Sequence, residues 1–137
     1  MDTTKPAKPV PHPTPLSAPY WDGARQGKLM LQRCGACGKT RHYPQLLCTA
    51  CYSYDVEWIE ASRHGTIHSW TITHHAFHPA FADELPYTLV TVDLEEGVRA
   101  LARYSSNDAL KLGLPVQLHF EQDAQGTPSL VVKPAKT

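Results

Sequence analysis

All four cysteines of this chain lie between residues 34 and 51, in CGACGKTRHYPQLLCTAC. They form two Cys-x-x-Cys pairs separated by ten residues. Each pair makes a tight turn with two sulfurs on one side, and two such turns facing each other enclose a tetrahedral ion. The compartment decides between metal and disulfides. The N-terminus, MDTTKPAKPVPHPTP, has no apolar segment of the secretory kind. No apolar run approaches the ~18–20 residues that span a bilayer. The expectation is a soluble, cytoplasmic protein, whose thiols stay reduced. Cys34, Cys37, Cys48 and Cys51 are therefore expected to hold one structural Zn²⁺, with no position open to water or substrate. Iron in a rubredoxin-like site and redox-active thiols are the competing readings of the same spacing. Gly38 relaxes the first turn; Tyr52 follows the second, where another glycine is expected.

The 137 residues suit one domain with a small appendage. Residues 1–15 hold five of the twelve prolines and almost nothing to bury. They are expected to form a disordered tail. Residues 16–61 are read as a short helix followed by the cysteine ribbon. Ser17 is the candidate N-cap, Tyr20, Trp21 and Ala24 share one helix face, and Gly27 is the stop. KLMLQR and VEWIEAS are extended segments flanking the ribbon. Residues 62–137 read as β. In GTIHSWTITHHAF strict alternation puts His68, Trp70, Ile72 and His74 on one face and Ile67, Ser69, Thr71 and Thr73 on the other. Val90, Val92 and Leu94 share a face, Glu96-Gly97 turns, and Ala100, Ala102 and Tyr104 return. Two more strands carry Val116, Leu118 and Phe120, and then Leu130–Lys133. Five strands, with a helical interruption between the third and fourth, match a small Greek-key barrel of the OB type.

Four segments together carry a resemblance: LQRCGACGKTRHYPQLLCTAC, WIEASRHGTIHSWTITHH, PYTLVTVDLEEGVRALARY and LKLGLPVQLHFE. In this order they resemble the acyl-CoA-associated zinc-ribbon/OB-fold family, over roughly residues 16–135. The resemblance implies a mainly β fold: a short N-terminal helix, a rubredoxin-like zinc ribbon and a five-stranded OB barrel. It also implies a non-catalytic accessory subunit, bound to a thiolase-superfamily enzyme in a hetero-oligomer. Such complexes make or break carbon–carbon bonds beside a CoA thioester, as thiolase, aldolase or hydroxymethylglutaryl-CoA synthase. The catalytic groups belong to the large partner.

The residues themselves offer no catalytic set. His74 and His75 point to opposite faces of a strand, and Asp93, Glu95 and Glu96 crowd a turn as solvated charges. For acyl-CoA the expected contacts gather at the ribbon–barrel junction. Arg63, Lys39 and Arg41 supply cations, Gly65 allows close approach, and Trp70 and Phe77 supply stacking surfaces. Tyr20 and Trp21 are the expected partner anchors. The alternative function, single-stranded nucleic-acid binding, needs a basic groove with aromatics. The formal net charge of +0 and the acids Asp83, Glu84, Asp93, Glu95 and Glu96 work against it.

Overall fold

The computed structural model describes residues 6–135. Residues 1–5 of the expected tail lie outside them. Residues 6–13 carry no helix or strand, and Lys8 reaches the Glu84 carboxylate at 2.6 Å. Helix α1 spans Ala18–Arg25, with Pro19 in its first turn, where no intrahelical amide is needed. Ser17 takes the N-cap position, but its side chain caps no helix amide; its Oγ accepts from the Thr14 N–H instead. Gly27, at φ 77°, ends the helix and lets the Lys28 N–H return to the Gly23 carbonyl at 2.8 Å.

The ribbon is a three-stranded antiparallel sheet of β1 (Met30–Cys34), β2 (Thr40–Arg41) and β3 (Val56–Glu60), with β1 in the centre. The chain then enters a closed barrel of β4 (His64–Thr73), β5 (Tyr87–Leu94), β6 (Arg99–Tyr104), β7 (Pro115–Gln122) and β8 (Pro128–Pro134). The spatial order is β4-β5-β6-β8-β7, and the parallel β6–β8 pairing completes the circuit. This is the five-stranded OB arrangement.

Ribbon and barrel share one core. Leu29 and Leu31 are fully buried among Ile67, Val90, Val92, Val116, Leu118 and Val132. Each such leucine contributes about 1.5–3 kcal/mol on burial. The entry to the ribbon is thus anchored in the barrel.

Two expectations about the barrel need correction. The helical interruption does not fall between its third and fourth strands; residues 105–114 carry no helix. It lies between the first and second, as a 3₁₀ helix at Pro79–Glu84. Its proline-led start and the His78 Nδ1 that accepts from the Ala80 N–H favour that site. The second correction concerns the faces of β4. The register shifts between Ile67 and Ser69, so His68 is an extra, bulged residue. A bulge inverts the alternation beyond it. Ile67 stands opposite Val92 and Trp70 opposite Val90, so Ile67, Trp70 and Ile72 share the inward face. Strict alternation separates them.

Candidate metal centre and partner surface

The two knuckles are built alike. Gly38 N–H donates to the Cys34 carbonyl at 2.9 Å, and Tyr52 N–H donates to the Cys48 carbonyl at 2.8 Å. Gly38 has φ 81° and Tyr52 φ 63°, so the tyrosine accepts the left-handed backbone that glycine takes in the first knuckle. Amides point at the sulfurs: Ala36 and Cys37 donate to Cys34 Sγ, and Ala50 to Cys48 Sγ, each at 3.4 Å. They favour the thiolate. The Cys37 amide, chiefly, holds Cys34 below the usual thiol range, and the amides of Cys51 and Ala50 lower Cys48 to about 6.

The four ligand sulfurs lie within 4.8 Å of one another. The closest pairs, Cys34–Cys51 at 3.5 Å and Cys37–Cys48 at 3.7 Å, are far longer than the ~2.05 Å of a disulfide. Zn–S bonds of about 2.3 Å in a tetrahedron require sulfurs a little under 4 Å apart. The donor set therefore fits zinc, held by Cys34, Cys37, Cys48 and Cys51. Among the described residues it is the only such cluster of three or more cysteine, histidine or acidic side chains. His78 is occupied as the 3₁₀ cap, and His75 stacks edge-on against Phe77 at 4.7 Å.

The expected CoA residues are dispersed. Arg41 is buried; its Nε donates to Gln32 Oε1 at 2.7 Å, and the same oxygen accepts the Gln45 N–H at 2.8 Å. Arg41 ties the ribbon together from inside and presents no cation to a ligand. Arg41→Ala is expected to cost about 2–3 kcal/mol, because it removes the buried charge-assisted bonds to Gln32 Oε1 and the Gln45 carbonyl and leaves their space unfilled. A denaturant titration checks this, and a loss under 0.5 kcal/mol contradicts it. Gly65 does allow close approach, but to the chain itself: a Cβ there would stand 2.3 Å from the Asp93 carbonyl oxygen. Arg63 sits at the junction with φ 68°, and its Nη1 donates to the Gly27 carbonyl at 3.1 Å. Its Nε is buried without a partner. Lys39 is exposed on the first knuckle, while Phe77 lies past the far end of β4.

The expected anchors split as well. Tyr20 packs against the core and meets Phe120 edge-on at 6.3 Å and Trp21 at 5.1 Å. Burial pushes its hydroxyl up to about 12, with Tyr43 adding to the rise. Tyr20 thus serves the joint between helix, ribbon and barrel. Trp21 is partly exposed. His42 shares the joint, 5.7 Å from Tyr20, and burial lowers it to about 4. A histidine lowered in the fold contributes stability above its unfolded value of about 6.5, and that stability is lost as pH falls from there toward 4. With zinc in excess, the wild type is expected to lose stability between pH 6.5 and 5, and His42→Phe to flatten the loss. Parallel pH profiles in both proteins contradict this.

A groove of about 370 Å³, missed in the sequence, lies across β5 and β6, lined by Trp21, Phe81, Tyr87, Arg103, Phe120 and Leu130, among others. Arg103 stacks over Tyr87 at 4.3 Å and pairs with Glu84, which also binds Lys8. Partial burial works against the Glu84 charge, but Lys8 and Arg103 hold its carboxyl below the usual range. These contacts join separate elements, with Lys8 far from Glu84 along the chain, so no local motif announces them.

Comparison with known proteins adds the following. Residues 21–57 match the family described as the ChsH2 rubredoxin-like zinc ribbon domain, and residues 58–121 match the ChsH2 C-terminal OB-fold domain. The chain is 37% identical over 103 residues to a probable enoyl-CoA hydratase alpha subunit of Thermomonospora curvata. It is 31% identical over 103 residues to a 3-oxo-4,17-pregnadiene-20-carboxyl-CoA hydratase alpha subunit of Mycobacterium tuberculosis. Each match takes in 74% of this chain and 32% of the relative, so the chain spans about a third of their length. A chain in the solved structure of the Ltp2-ChsH2(DUF35) aldolase is 34% identical, with TM-score 0.82, covering 92% of this chain and 99% of that one. A DUF35 protein of unknown function from Sulfolobus solfataricus, 17% identical with TM-score 0.60 over 88% of this chain and 86% of that one, shares the fold.

Proposed function

The chain belongs to the ChsH2 family of zinc-ribbon and OB-fold proteins, and from that premise we propose that it is the accessory subunit of a complex that processes acyl-CoA thioesters. The observation that carries this reading is the solved aldolase chain, matched over 99% of its length. The names of the two hydratase alpha subunits support the CoA thioester as substrate class. In this proposal the large partner is a thiolase-superfamily subunit. It supplies the reacting groups and forms or cleaves a carbon–carbon bond beside the thioester.

The chemistry of the chain is consistent with a supporting role. Its thiols are committed to metal, and a four-sulfur site has no free position for a reacting group. CoA is bound where this chain meets its partner. Arg63, at the ribbon–barrel junction, and the exposed Lys39 are the cations this chain brings to the anionic end of the ligand. Arg63→Ala in the assembled complex is expected to weaken CoA binding by about 1–3 kcal/mol, as for a lost charge-assisted contact. Unchanged affinity by calorimetry would place CoA wholly in the partner. The subunit reading itself is tested by co-expression with Ltp2, the partner of the solved relative, followed by size exclusion with light scattering. One peak containing both chains is expected; two separate peaks at micromolar concentration count against it.

A further inference from the structure

The outer edge of β4 is open over part of its length, and its backbone groups alternate between that edge and β5. Leu101 of β6 donates its N–H to the Tyr43 hydroxyl at 2.9 Å, so its backbone groups face away from β5. Leu101 stands opposite Thr91, and Thr91 stands opposite Ser69. Alternation along antiparallel strands then turns Thr91 toward β4 and Ser69 toward β5. Trp70 and Ile72 must turn their N–H and C=O groups the other way. Ile67 agrees, bonding outward to Leu114 and Gly113.

β7 covers this edge only at His64, Gly65 and Thr66, and the Gly113–Leu114 turn covers Ile67. Beyond them, among the described residues, no strand pairs with Trp70–Thr73 on the outer side. The side chains there are unusual for a bare edge. Trp70 is 38% exposed, Ile72 51% and Phe77 84%. Residues 66–77 contain no Asp, Glu, Lys or Arg. Natural edges are normally blunted by charge, proline or cover.

We propose that an extended, uncharged segment of the large subunit adds to the β4 edge as a further strand, bonding to Trp70 and Ile72 and packing on their side chains. The proposal rests on the subunit reading above. Free main-chain donors and acceptors at strand spacing are satisfied by another strand, which is why the occupant is extended. Absence of charge on the edge selects a neutral segment. Size selects a large subunit over a second copy. Four strand residues run only about 13 Å, too short an edge for one added strand alone to bury the ~1,200 Å² of a self-standing interface. A segment of a subunit already held at other contacts needs no such area.

The test uses the full chain, alone and with Ltp2. In the monomeric chain the Trp70 and Ile72 amides are expected to exchange quickly with solvent while Thr71 exchanges slowly; in the complex all three are slow. Protection of Trp70 and Ile72 in the free monomer overturns the open edge. Ile72→Pro removes only an outward N–H, and Ile72→Lys places a charge on the edge. Both are expected to weaken the complex at least tenfold, with β5 exchange unchanged. A complex that forms equally with both variants overturns the edge proposal alone. No complex with wild type removes the subunit reading and this proposal with it. A dimer of the isolated chain that both variants abolish assigns the edge to a second copy and overturns the proposal.

Discussion

Cys48→Ser is expected to abolish zinc binding and to melt residues 34–55, while the barrel strands keep their protection. The knuckles have little apolar burial of their own; Leu46, Tyr52 and Tyr54 are all well exposed. Structural zinc supplies roughly 10–16 kcal/mol in small zinc-finger peptides, more than a loop of this kind can replace. The damage stops where the core begins. Leu29 and Leu31 are fully buried in the barrel cluster, so the inner ends of β1 and β3 stay docked. Elemental analysis should find one zinc per wild-type chain and none in the variant. Hydrogen exchange should show fast amides only around the knuckles. A native disulfide, or a wild-type chain without metal, contradicts the assignment.

Gly65→Ala is expected to destabilise the barrel by about 3 kcal/mol or more, as overpacking against rigid backbone does. The new Cβ would stand 2.3 Å from the Asp93 carbonyl oxygen and 2.8 Å from Val92 Cγ1. Neither neighbour can retreat without shifting β5. Gly38→Ala is the control. Its φ is 81° but no atom lies within 4 Å of the added methyl, so only the left-handed backbone opposes it, at about 1 kcal/mol. Chemical denaturation of both variants separates the two causes. Equal losses would mean that the close approach at Gly65 carries no cost of its own.

The legible parts of the fold were those written in local pattern. Cysteine spacing located the ribbon and its ligands. Alternation located β5 to β8, and Gly27 marked the end of α1. The bulge at His68 was illegible because it is set by pairing with β5, and a single extra residue leaves no mark on composition. It transfers Trp70 and Ile72 to the face shared with Ile67, while the open edge beside them comes from the short β4–β7 pairing. Arg41 and Tyr20 lie deeper than local sequence suggests, for a related reason. A basic residue beside cysteines reads as surface charge until Gln32 is found beneath it, and an aromatic on a short helix reads as an anchor until Phe120 meets it. At Gly65 the close approach in the structure is that of a neighbouring strand, which local sequence does not reveal.

The most direct test of the subunit reading is turnover by the large partner with and without this chain. Purified Ltp2 would be assayed for aldolase cleavage of an acyl-CoA thioester, alone and with an equimolar amount of the wild-type protein. The account predicts little turnover by Ltp2 alone and restoration on addition of the zinc-loaded chain, saturating at a fixed ratio of the two. Equal turnover in both samples, from two proteins that never co-migrate, would contradict it.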